Sequence, residues 1–216
     1  MLDHHWGWRP EWTEDRPCLY WYLSFDPAQV ARAVPSALLD SISDTSWLEP
    51  IPLRWMHLTL CEVAFVDEVT DGQVDEAVRS ITRRLPALDL TALTVGPPGG
   101  MGSAVVLGAR PRQQLARLQQ RLCAHTQDAL GLTTDHTVED DFQPHVSLGY
   151  VNRSVAAAEV QELTSRHSDF EAELPVSCLI LAEVTRNRTH YEWTVRAAVR
   201  PPGALARHGA GRQTTG

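Results

Sequence analysis

Two periods of hydrophobicity alternate along this chain, one of two residues and one of three to four, and together they predict an α+β fold. Cys18-Leu19-Tyr20-Trp21-Tyr22-Leu23-Ser24-Phe25 is an apolar, aromatic run of strand length. Asp26-Pro27 ends it and starts a helix over about residues 27–39, which Pro35 breaks before Ser36 because proline lacks the amide and crowds the preceding turn. After a loop with Pro50 and Pro52, Met56 to Phe65 reads as a strand, and Val74 to Leu85 as a helix with Val74, Ala77, Val78, Ile81 and Leu85 on one face. Leu88 to Val95 and Ala104 to Ala109 are expected to form a hairpin turning at Gly96-Pro97-Pro98-Gly99-Gly100. Pro111 to Leu130 is the longest helical pattern, opened by proline and followed by Gly131. Leu115, Leu118, Leu122 and Ala129 share its apolar stripe, with His125 on the same stripe as a packed or rim residue.

A polar, acidic loop over residues 132–142 leads into the strand Pro144-His145-Val146-Ser147-Leu148-Gly149-Tyr150. Val155 to His167 is a last helix. Phe170 to Val184, broken at Pro175, and His190 to Val199 are strands joined by the polar turn Thr185-Arg186-Asn187-Arg188. Residues 1–16 are charged and Trp-rich without a clean period and form a separate N-terminal segment. Residues 200–216 hold little that can pack and are expected to be a disordered tail. Residues 17–199 then form one domain of two halves, each with helices and one polar-faced strand.

Composition narrows what such a domain does. At 216 residues and 43% apolar, the chain can bury a core without disulfide or metal staples. Its four cysteines lie outside any CxxC pair, the usage of a reducing cytoplasm. No secretory leader and no long apolar run is evident, so no membrane association is expected, and without a heptad pattern a monomer is expected. A net charge of -8, with no long basic run and no lysine at all, argues against holding long nucleic acid by phosphate neutralisation. A small or terminal phosphate substrate fits that balance. His4-His5 lacks the further ligands of a metal site, and neither metal nor cofactor is expected.

The chemistry lies in a repeated tetrapeptide. His57-Leu58-Thr59-Leu60 recurs in kind as His145-Val146-Ser147-Leu148. Alternate side chains of a strand face opposite sides, so each copy turns its His and its hydroxyl to one face and two apolar residues to the other. For this composition chance would give roughly 0.2 such tetrapeptides, so the pair is specific where either copy alone is weak. Near neutral pH one imidazole can take a proton while the other gives one, which suits phosphoryl chemistry without a metal. Thr59 and Ser147 can donate to the non-bridging oxygens of a phosphate held between His57 and His145.

On these two tetrapeptides, the second inside Phe142-Gln143-Pro144-His145-Val146-Ser147-Leu148-Gly149-Tyr150, the chain resembles the two-histidine (2H) phosphoesterase superfamily, in particular its bacterial 2'-5' RNA ligase-like branch. The resemblance covers roughly residues 17–199. It implies a bilobal α+β fold of two mainly antiparallel sheets with outer helices, related by a pseudo-twofold, with His57, Thr59, His145 and Ser147 lining a central cleft. It also implies cleavage of cyclic phosphodiesters or sealing of RNA ends, without metal. Ser147 stands where many members have Thr, which keeps the hydroxyl.

Among aromatics near the motif strands, Tyr22, Trp55 and Phe142 are the candidates to stack a base, with Tyr20, Trp21 and Tyr150 read mainly as core. Arg54, Arg153, Arg186 and Arg188 are weaker candidates to add charge beside a phosphate. The reading is hydrolysis of a 2',3'-cyclic phosphate on an RNA end or small nucleotide. Its alternatives are 2'-5' RNA ligation, a non-catalytic nucleotide-binding protein, and a biosynthetic enzyme using the same cleft.

Overall fold

Asp26 ends the first strand as expected, because its carboxylate accepts a hydrogen bond from the amide of Ala28 at 2.8 Å and so caps the helix that begins at Pro27. Such local signals set the elements of the computed structural model, which describes residues 1–7, 11–84, 90–131 and 142–199. They are β1 (Cys18–Ser24), α1 (Pro27–Ala33), α2 (Ser36–Ser43), β2 (Leu48–Pro50), β3 (His57–Phe65), α3 (Asp71–Arg84), β4 (Ala92–Met101), β5 (Ala104–Arg110), α4 (Arg112–Leu130), β6 (His145–Val151), α5 (Ala157–Ser165), β7 (Ala172–Pro175), β8 (Cys178–Arg186) and β9 (Tyr191–Val199). Short 3-10 turns cover His5–Gly7 and Leu53–Trp55. Pro35 splits the first helical stretch in two, and Gly131 ends α4 with φ of 64°, the left-handed conformation glycine adopts without steric cost.

Two antiparallel sheets build the two lobes, one in the order β3-β1-β8-β9 and the other β2-β6-β5-β4-β7. The α+β, bilobal architecture with outer helices and a central cleft is therefore as the sequence implied. Strand β1 sits inside the first sheet and is buried on both faces, which explains its nearly continuous apolar run. One face meets α4, where buried Trp21 donates its indole N–H to Thr126 Oγ1 at 3.0 Å. The other face carries Tyr20 and Tyr22 towards the second sheet. None of the described helices is long and apolar enough to cross a membrane.

Two expectations are corrected. The Gly96 to Gly100 stretch is not the hairpin turn: β4 runs through it, and the chain turns at Gly102, whose φ is 58°. The pairing slips between Val95 and Pro98, so Gly96 and Pro97 sit in a bulge, while Pro98 pairs with Leu107 beyond the stretch of β4 that β7 flanks. Gly96, at φ 118°, is required there, since a Cβ would lie 2.2 Å from the Phe170 carbonyl oxygen. Likewise Thr185 and Arg186 belong to β8 rather than to the turn before β9. The loop expected over 132–142 lies, apart from Phe142, outside the described residues, as does the tail over 200–216.

The segment before residue 17, which has no periodic pattern, is docked over its described part. Leu2 forms a backbone bridge with Val155 on the second lobe, while Arg16 pairs with Asp67 and Glu68 on the first, both at 2.9 Å. His5 joins both lobes, hydrogen bonding Ser103 Oγ through Nδ1 at 2.6 Å and the Tyr191 hydroxyl through Nε2 at 2.9 Å.

Candidate functional site

Strands β3 and β6 approach each other across the cleft. Directly paired residues share a face of a sheet, so the pairing of Ser24 with His57 and Tyr22 with Thr59 puts these four side chains on the cleft side of the first sheet. On the second sheet His145 pairs with Gly108 and Ser147 with Val106. Each strand then slips by one residue at the same point of its tetrapeptide. Leu60 is extra between Thr59 and Cys61, and Leu148 is extra between Ser147 and Gly149. The bulge inverts the facing pattern, so the next cleft-facing residue comes three positions after the hydroxyl, Glu62 in one strand and Tyr150 in the other.

The imidazoles are oriented alike. His57 Nδ1 lies 2.7 Å from the Trp55 carbonyl oxygen, and His145 Nδ1 lies 2.8 Å from that of Gln143. A carbonyl only accepts, so Nδ1 carries the proton in both rings and the neutral form presents an unprotonated Nε2. His57 is buried and His145 half-buried. Burial first, then the charge of His145, push His57 down to about 4, against the opposing Trp55 bond. Burial also lowers His145, with the Gln143 bond opposing it.

An aromatic shell fixes His57. Tyr22 stacks on it with centroids 3.9 Å apart, and Trp193 meets it edge-on at 4.9 Å. Tyr22, one of the residues expected to stack a base, is 2% exposed and carries the His57 ring on one face. Burial, with Tyr150 and Tyr191 close by, holds the Tyr22 phenol neutral, in reach of the Thr59 hydroxyl; Tyr150 stands in the same relation to Ser147.

Trp55 and Phe142 are half-buried; Trp55 packs edge-on to Trp193 at 4.8 Å, with the Arg54 guanidinium over its ring at 5.0 Å. The other arginines are engaged elsewhere. Arg153 pairs with Glu159 at 3.2 Å, Arg188 approaches Glu14 at 3.9 Å, and Arg186 donates to the Trp6 and Trp12 carbonyls. Sequence reasoning missed Trp193, Glu62 and His5. Trp193 and His5 arrive from distant segments, and Glu62 turns to the cleft only through the bulge.

The profile of the 2'-5' RNA ligase superfamily matches residues 29–188. No curated protein matches by sequence. Among solved structures, TT0787 of Thermus thermophilus is similar at 19% identity and a TM-score of 0.62, over 85% of this chain and 97% of that one. Escherichia coli LigT complexed with 3'-AMP is similar at 14% identity and 0.56, over 87% and 99%. LigT complexed with ATP is similar at 14% and 0.56, over 86% and 98%. At these identities the likeness is one of fold.

Proposed function

Because the chain belongs to the 2'-5' RNA ligase superfamily, we propose that it is a phosphoesterase that hydrolyses the 2',3'-cyclic phosphate of an RNA end or small nucleotide through His57 and His145. One observation carries the reading: two cleft-facing imidazoles, each locked at Nδ1 by a backbone carbonyl so that Nε2 is left to take or give a proton, and each followed two residues on by a hydroxyl. The capture of 3'-AMP and ATP by LigT supports a nucleotide-sized ligand.

In this mechanism a water attacks phosphorus while one imidazole Nε2 takes its proton, and the P–O bond to one ribose oxygen breaks as the other imidazole protonates that oxygen. His57, the more buried ring, suits the base because burial keeps it neutral; His145, more open to water, is the easier to protonate and serves as the acid. Thr59 and Ser147 donate to the non-bridging oxygens as charge gathers there. Both lobes are needed, since each supplies one histidine and one hydroxyl.

The test is hydrolysis of the four nucleoside 2',3'-cyclic phosphates in EDTA by wild type, His57→Ala and His145→Ala, with 2'- and 3'-phosphate products resolved. Turnover by wild type alone is expected. Turnover that survives either substitution sinks the two-histidine mechanism, and none on any substrate sinks the nucleotide reading.

A further inference from the structure

Behind the two motif hydroxyls the cleft is closed. Along β1 the cleft-facing residues run from Ser24 through Tyr22 to Tyr20, which pair in turn with His57, Thr59 and Glu62. Along β6 they run from His145 through Ser147 to Tyr150. At the level of Tyr20 and Tyr150, aromatics from the N-terminal segment fill the space between the sheets. Trp12 stacks on Tyr20 with centroids 5.5 Å apart and on Tyr191 at 5.0 Å. His5 stacks on Tyr150 at 4.0 Å and is tied to both lobes through Ser103 and Tyr191. His5, Trp12, Tyr20, Tyr150 and Tyr191 are all buried. The same level carries a carboxylate: the Tyr20 hydroxyl donates to Glu62 Oε2 at 2.6 Å.

The geometry points to a one-sided phosphate site, in which this plug of His5 and Trp12, with the Glu62 carboxylate, admits a nucleotide on only one side of the phosphate. The inference rests on the cyclic-phosphate reading and deepens it by naming the substrate class. A phosphate between His57 and His145 can carry its nucleoside towards the open side. Beyond Thr59 and Ser147 a second nucleoside meets packed rings, and a second phosphate meets the like charge of Glu62. A terminal cyclic phosphate needs nothing larger than an attacking water there. An internal 2'-5' linkage, or the junction formed in ligation, needs a nucleoside on each side. The plug thus selects strand ends and free nucleotides for hydrolysis, against internal cleavage and against sealing.

Three substrates test it: a nucleoside 2',3'-cyclic phosphate, an oligonucleotide ending in one, and an oligonucleotide with a single internal 2'-5' linkage. Wild type is expected to hydrolyse the first two and to cut the third at least about a hundredfold more slowly, as a site that excludes a substrate by shape does. Trp12→Ala combined with Glu62→Gln should raise internal cleavage about tenfold or more while leaving the cyclic mononucleotide nearly unchanged. Should the pair unfold by circular dichroism, Glu62→Gln alone keeps the packing and should still raise internal cleavage. Internal cleavage or end sealing by wild type at a rate comparable to hydrolysis of ends overturns the inference, as does an unchanged substrate ratio in the folded variants. If wild type turns over none of the three, the cyclic-phosphate reading fails and calorimetric binding decides this one separately. 3'-AMP bound at least about tenfold more tightly than 2'-5'-linked diadenosine monophosphate upholds the one-sided site, and equal binding, or none of 3'-AMP, overturns it.

Discussion

At the scale of single residues, what matters most about His57 and His145 is that both turn the same nitrogen, Nε2, to the cleft. Replacing either with Gln should cost about 10²–10⁴ in kcat/KM on a 2',3'-cyclic phosphate, the usual worth of a positioned acid or base, while the melting temperature stays near wild type. Thr59→Val or Ser147→Ala removes one donor to the developing charge and should lower kcat about 10²-fold. Both imidazoles titrate below the ordinary histidine value, His57 at about 4. The active form holds one neutral and one protonated ring, so its population falls as pH rises through the acid's lowered pKa. In steady-state assays kcat/KM should therefore peak below pH 6.5 and decline towards pH 8. A profile that rises across that range would contradict the assignment.

At the scale of elements, the strands and helices were legible where apolar periodicity was strong, because burial of one face is a local property of spacing. Two features were not. The bulges after Thr59 and Ser147 depend on which partner strand each segment meets, so nothing in the tetrapeptides marks them, and with them Glu62 was lost. The Gly96 to Gly100 stretch carries every local mark of a turn, yet β5 and Phe170 draw it into the sheet. That reading makes Gly96→Ala a sharp test: its Cβ would stand 2.2 Å from a backbone oxygen, at φ 118°. Urea denaturation should show a loss of at least about 2 kcal/mol, from backbone strain plus the displaced strand. The histidine pair was readable because the repeat is itself a sequence feature; its Trp193 support was not, since β9 reaches β3 only through β8 and β1.

At the scale of the whole molecule, the lobes are joined by buried neutral histidine. His5 is pushed down to about 3, by burial first and then by Arg186 and His4, and His57 to about 4. Unfolded, both take a proton near pH 6.5; folded, they do not. The unfolded chain thus binds more protons below that value, so stability should be level above about pH 7 and fall as pH drops from 6.5 towards 5. Thermal melts should show this slope, and His5→Gln should flatten it. The strand order has a further consequence, for the chain as it is made. All five strands of the sheet that holds His145 lie between residues 48 and 175, whereas β1, made before any of them, stays without its β8 neighbour until residues 178–186 have emerged. The later histidine is therefore housed first, and the earlier one waits in a half-built sheet until β8 has emerged.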